Sequence, residues 1–114
     1  MRRLALALAL VTLAVPVGAS ARPAATKPVV ISITVQKGRP VGGIKRANVK
    51  KGQLVRLVVH TSFGTAVHLH GYDIEKKVKK GTPTVIQFTA KLVGRFEVEL
   101  HPTDTLLAQL TVKP

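Results

Sequence analysis

The 114-residue chain contains no cysteine. That excludes disulfides, a thiolate nucleophile and a thiolate metal ligand. The single methionine is the initiator, so no thioether ligand is available either. Acidic residues number 5 against 18 Lys+Arg. Aromatics are equally sparse, with only Phe63, Tyr72, Phe88 and Phe96. A specific single-stranded nucleic-acid site usually adds stacking aromatics to its basic groove, so no specific nucleic-acid partner is expected. No Gly-rich phosphate loop is present. Past Ser20 the only serines are Ser32, in a strand-like stretch, and Ser62, in a loop-like one. Neither sits in a nucleophile setting, and the chain is not expected to be an enzyme.

The N-terminus reads as an export signal. Arg2 and Arg3 form a basic start, and Leu4 to Val15 is apolar apart from Thr12. That run is too short to span a membrane but has the length of a signal-peptide core. Pro16 and Gly18 break it, and Ala19-Ser20-Ala21 offers small residues for cleavage. Cleavage after Ala21 predicts a periplasmic or secreted product of 93 residues, enough for one domain with its own core. No later segment is apolar enough to span a membrane. Removing Arg2 and Arg3 leaves 16 basic residues against 5 acidic, a net of +11. Such a charge favours an anionic envelope component or an acidic protein as partner.

Residues 22–28 (Arg-Pro-Ala-Ala-Thr-Lys-Pro) read as a flexible tether, and 29–114 as the folded domain. Ile31, Ile33 and Val35 alternate with Ser32 and Thr34, the pattern of a half-buried strand. Leu54 to His60, Val67 to Ile74, Thr84 to Ala90, Arg95 to Leu100 and Leu106 to Val112 complete a series of strands separated by turn residues. Gly38-Arg39-Pro40, Gly42-Gly43, Lys50-Lys51-Gly52-Gln53 and Lys79 to Pro83 supply the loops and turns. No long stretch has helical periodicity. The fold class is all-β, a sandwich or barrel.

All four histidines fall between positions 60 and 101. His68 and His70 flank Leu69, and alternate residues of a strand share one face, so both could reach one ion. His101 stands before Pro102 at a strand end, on the same alternation as Glu97 and Glu99. Neutral imidazole is the commonest metal ligand near neutral pH, and a carboxylate could complete such a site or orient an imidazole. The alternative is that the histidines form only the solvated side of their strands, with no metal bound. In so basic a chain Glu97 and Glu99 are expected to form salt bridges. His60 reads as a strand end, and Tyr72 and Asp73 as a turn or support for the histidine strand. Lys76, Lys77, Lys79 and Lys80 suit a solvated sheet edge that resists aggregation.

The order of these pieces resembles the cupredoxin-like domain of exported bacterial proteins. The resemblance rests on the Val49-Lys50-Lys51-Gly52-Gln53 turn with its apolar strand, and on a loop followed by His68. It continues through Lys80 to Ala90 (Lys-Gly-Thr-Pro-Thr-Val-Ile-Gln-Phe-Thr-Ala), Gly94-Arg95-Phe96-Glu97-Val98 and the closing Leu107 to Val112. It spans about Ile31 to Val112 and implies a Greek-key β-sandwich. It aligns His68 with the early copper-ligating histidine and puts Leu100 at or near the cysteine, with His101 next in a shortened loop. A blue-copper site needs a thiolate and a weak axial ligand, and this chain has neither. The resemblance therefore does not imply blue-copper electron transfer. Three imidazoles suit Cu(II) or Zn(II), so the metal reading is binding through His68, His70 and His101, by Cu(II) first and Zn(II) second. The resemblance points His68 inward near the end of the sandwich, whereas simple alternation points it outward.

Overall fold

The computed structural model describes residues 5, 7, 9–18 and 26–114. The proposed cleavage site and residues 22–25 of the tether lie outside the described residues. Residues 9–18 carry neither helix nor strand, and among the described residues no helix is long and apolar enough to cross a membrane.

Among the described residues nine strands form two sheets. These are β1 (Val29–Gln36), β2 (Arg39–Pro40), β3 (Lys45–Lys50), β4 (Leu54–His60), β5 (Ala66–Leu69), β6 (Ile74–Lys77), β7 (Thr84–Thr89), β8 (Gly94–His101) and β9 (Thr105–Lys113). One sheet has the order β2-β1-β4-β7, the other β3-β9-β8-β5-β6. Both are mixed, because β1 runs parallel to β4 and β3 parallel to β9. The all-β sandwich expected from the alternation is therefore present.

The alternating side chains build the core. Ile31, Ile33 and Val35 of β1, Val55, Leu57 and Val59 of β4, and Ile86 and Phe88 of β7 are buried from one sheet. Val49, Val67, Leu69, Val98, Leu100, Leu110 and Val112 are buried from the other. Interdigitation of two such inner faces is what holds a sandwich together. The β1–β2 hairpin closes through Lys37-Gly38, both at positive φ, as a two-residue turn requires.

Two readings from the sequence are corrected. The span from Val67 to Ile74 is not one strand: β5 ends at Leu69, and residues 70–73 turn the chain into β6. Gly71 sits in that turn at φ +84, and a Cβ there would lie 2.5 Å from the Phe96 ring. Strand β3 was not anticipated, because Lys45-Arg46-Ala47-Asn48-Val49-Lys50 offers only Val49 as a fully buried side chain. Strand β6 is an edge strand, and Lys76 and Lys77 lie on it as the sheet-edge reading required.

Tyr72 anchors the turn. Its ring packs against Phe88 and Phe96 at centroid distances of 4.8 and 4.7 Å. Its hydroxyl donates to the Leu92 carbonyl at 2.9 Å and accepts from the Leu92 amide at 3.0 Å. Tyr72→Phe should therefore cost about 1–2 kcal/mol in urea unfolding, and Gly71→Ala should cost more, through the clash with Phe96 and strain at positive φ. Unchanged unfolding midpoints would contradict this anchoring.

Candidate metal centre

Strands β5 and β8 pair antiparallel with Val67 opposite Leu100, His68 opposite Glu99, and Ala66 opposite His101. Opposed residues share a face. Val67 and Leu100 are buried in the core, so His68, Glu99 and His101 project from the outer face of the five-stranded sheet. His70, two residues past His68, continues the same row, and its amide donates to the Glu97 carbonyl at 2.9 Å. Simple alternation thus prevails over the inward placement that the resemblance implied for His68. The Leu100 side chain fills the inner side instead.

The three histidines meet. The His68 ring lies 4.3 Å from the His70 ring and 5.3 Å from the His101 ring, centroid to centroid. One nitrogen from each comes within 4.8 Å of the others. Two nitrogens bound to one ion at about 2.0–2.1 Å each cannot be more than about 4 Å apart, so small ring rotations would close the site. His60, at the end of β4 in the other sheet, takes no part in this cluster.

Each imidazole has a distinct environment. His70 Nε2 lies 2.9 Å from Glu99 Oε2, and His101 Nδ1 lies 2.6 Å from Asp104 Oδ1. An ionised carboxylate only accepts hydrogen bonds, so these nitrogens are the donors. That leaves His70 Nδ1 and His101 Nε2 with their lone pairs. Carboxylates that fix imidazole tautomers in this way are the usual support of metal-bound histidines. His68 is the least exposed of the three, with Nε2 3.9 Å from Asp73 Oδ1. Its Nδ1 is buried without a hydrogen-bond partner. A buried unpaired ring nitrogen is costly, and coordination to a metal would satisfy it.

Local backbone features aim the site. A β-bulge falls between Val98 and Glu99, where Val98 pairs with Ala108 but Glu99 pairs with Leu106. Bulges redirect side chains beside functional sites, and this one occurs at the carboxylate that opposes His68. Gly64 lets the β4–β5 loop press on the end of β8: a Cβ there would lie 2.6 Å from the His101 carbonyl oxygen and 2.7 Å from Leu100 Cδ1. The Thr65 amide then donates to that carbonyl at 2.7 Å.

All five carboxylates of the chain surround these histidines. Glu75 lies opposite His68 on β6, Glu99 opposite it on β8, and Asp73, Glu97 and Asp104 flank them. Among the described residues the expected salt bridges of Glu97 and Glu99 with lysine or arginine are not found. Among the described residues the only acid–base contacts within 4.0 Å are those with His68, His70 and His101. Glu99, His101 and Asp104 form a second, overlapping donor set. The sequence shows the acidic residues falling between positions 73 and 104, but only the register of β6, β5 and β8 brings them beside the histidines.

No protein-family model and no curated protein matches the sequence. Solved structures do. The metal-binding domain of the Streptococcus pneumoniae Cu(I)-exporting P-type ATPase CopA, solved with Cu(I), aligns with a TM-score of 0.60 at 19% identity, covering 75% of this chain and 85% of that one. A copper-binding protein solved by NMR in its apo form aligns at 0.59 and 15% identity, covering 74% and 86%. A reduced amicyanin variant aligns at 0.51 and 16%, covering 74% and 82%. These likenesses define the fold: the chain is a cupredoxin-like β-sandwich. Within that fold it has no cysteine, and its histidines lie on an outer sheet face.

The hydrogen bonds to Glu99 and Asp104 set a readable state. In metal-free protein above pH 7.5, long-range 15N NMR should find the proton of His70 on Nε2 and that of His101 on Nδ1. Asp104→Asn should loosen this preference at His101 alone. The opposite tautomers would place the protons on His70 Nδ1 and His101 Nε2 and contradict the hydrogen bonds to Glu99 and Asp104.

Proposed function

We propose that this chain is an exported metal-handling domain that holds one Cu(II) ion, with Zn(II) second, through His68, His70 and His101. The observation that carries this reading is the convergence of three imidazole nitrogens on one face, two of them backed by carboxylates. Imidazole suits Cu(II) and Zn(II), and affinity for such sites rises to a maximum at Cu(II). The fit is chemical as well as geometric. The buried His68 Nδ1 lacks a partner, and the surrounding carboxylates favour a cation in a chain of formal charge +13. Copper held there would supply a divalent Lewis acid without a thiolate bond. His68 would provide the least exposed ligand, His70 and His101 would bind through the nitrogens turned away from Glu99 and Asp104, and those two carboxylates would hold the rings in place. Copper-binding structures of the same fold support the choice of metal. The role that follows is storage or passage of copper, without catalysis and without blue-copper electron transfer. Export rests on Arg2, Arg3, the apolar run and the small residues at 19–21.

A second reading has its own support: none of the Lys or Arg side chains is paired with a carboxylate among the described residues. That leaves a basic surface able to dock on an anionic envelope component. Such binding should weaken with salt and survive replacement of all four histidines.

Calorimetric titration of the purified protein with Cu(II) at pH 7.5 should give one site. His68→Ala and His101→Ala should each weaken it at least tenfold, and Glu99→Gln should weaken it about 10–100-fold through loss of imidazole support. Protons compete for the ligand nitrogens, so affinity should fall as the pH is lowered. The loaded protein should lack intense blue absorption. Absence of stoichiometric binding, or wild-type affinity in both alanine variants, would overturn the metal reading.

A further inference from the structure

The outer face that carries the histidines continues past Glu97 onto β9 and β3, where its character changes. Arg46 of β3 pairs with Gln109 of β9, Asn48 pairs with Thr111, and Arg95 of β8 pairs with Thr111 from the other side. Opposed residues share a face, so these five polar side chains form two adjoining rows across three strands. Together with Ala47 they line an open concavity of about 430 Å³. Strand spacing near 4.8 Å and a rise near 3.4 Å per residue put the two arginine Cα atoms roughly 12 Å apart. Side chains of that length can meet over one group between them. Neither guanidinium has a carboxylate within 4.0 Å among the described residues. Glu97, on the same face beside Arg95, marks the boundary with the acidic side that holds the histidines.

We propose that this concavity is a binding site for an acidic sugar, with Arg46 and Arg95 clamping its phosphate or carboxylate. Guanidinium groups fit either anion through paired N–H donors. Asn48, Gln109 and Thr111 add donors and acceptors suited to hydroxyl groups. No aromatic side chain lines the site, so it offers no stacking surface for a base, and a sugar acid or sugar phosphate fits better than a nucleotide. The volume lies within the range of small-ligand sites and is too large for a lone inorganic anion. The site shares no lining residue with the histidine cluster and holds whether or not copper binds.

Two-dimensional 1H–15N NMR titrations of the full chain test this, with glucose 6-phosphate, glucuronate and glucose as probes. One of the two anionic probes should produce saturable shifts confined to Arg46, Asn48, Arg95, Gln109, Thr111 and their strand neighbours. The stronger of the two identifies the anion, and neutral glucose should produce none. Arg46→Ala and Arg95→Ala should each weaken binding at least about tenfold, the loss expected from one charge-assisted contact. Arg56→Ala removes the same charge from the other sheet, where Arg56 Nε donates to Gln87, and should leave binding unchanged. Shifts spread over the lysines, equal loss in Arg56→Ala, equal binding of glucose, or no saturable shift with either anion would each overturn the proposal.

Discussion

The pairing of β5 with β8 is the constraint on which the rest depends. It sets Val67 against Leu100 and His68 against Glu99. One side of that ladder closes the apolar core, and the other assembles the histidines and their carboxylates. A slip of one residue would send the histidines inward and the core residues outward. Burial of Val67, Leu69, Val98 and Leu100 therefore fixes the site's geometry as firmly as it fixes the fold. The bulge at Val98/Glu99 and the close approach allowed by Gly64 then refine where Glu99 and His101 point.

Electrostatics divide the molecule in a second way. The excess of lysine and arginine is spread over the strands and loops, while every carboxylate lies near one histidine cluster. Among the described residues none of those carboxylates pairs with a lysine or arginine; two of them accept hydrogen bonds from imidazoles. The arrangement leaves a small acidic island on a basic domain. Such a charge pattern would favour a divalent cation at the island and an anion on the surface around it. Tyr72, through its ring packing and its two hydrogen bonds to Leu92, keeps the turn behind His70 fixed against the sandwich.

Much of the fold was legible in the sequence. The alternation of Ile31, Ile33 and Val35 and the strand-like stretches Thr84 to Ala90 and Arg95 to Leu100 marked strands that the structure contains. Strand β3 was not legible, because an edge strand with a single buried valine has no apolar period to read. The break after Leu69 had a signal in Gly71 and Asp73, both turn formers and both at positive φ; reading His68 to Tyr72 as one alternating row passed over it, and the close approach of Gly71 to Phe96 is a tertiary contact that no local pattern shows. Of the site, i, i+2 spacing suggested that His68 and His70 share a face; their rings do lie 4.3 Å apart, although His70 falls just beyond the end of β5. The role of Asp104, the support of His70 by Glu99 and the gathering of all five carboxylates required the register between strands. The inward placement of His68 came from the resemblance, and the local pairing of His68 with Glu99 overrode it.

The central claim is that a metal binds on the outer face of this cupredoxin-like sheet, away from the sandwich interior. Anomalous diffraction at the copper edge, from crystals of the Cu(II)-loaded protein, tests it most directly. The account requires one peak about 2 Å from nitrogens of His68, His70 and His101. A peak between the two sheets beside Leu100 and Gly64, or at His60, would contradict it.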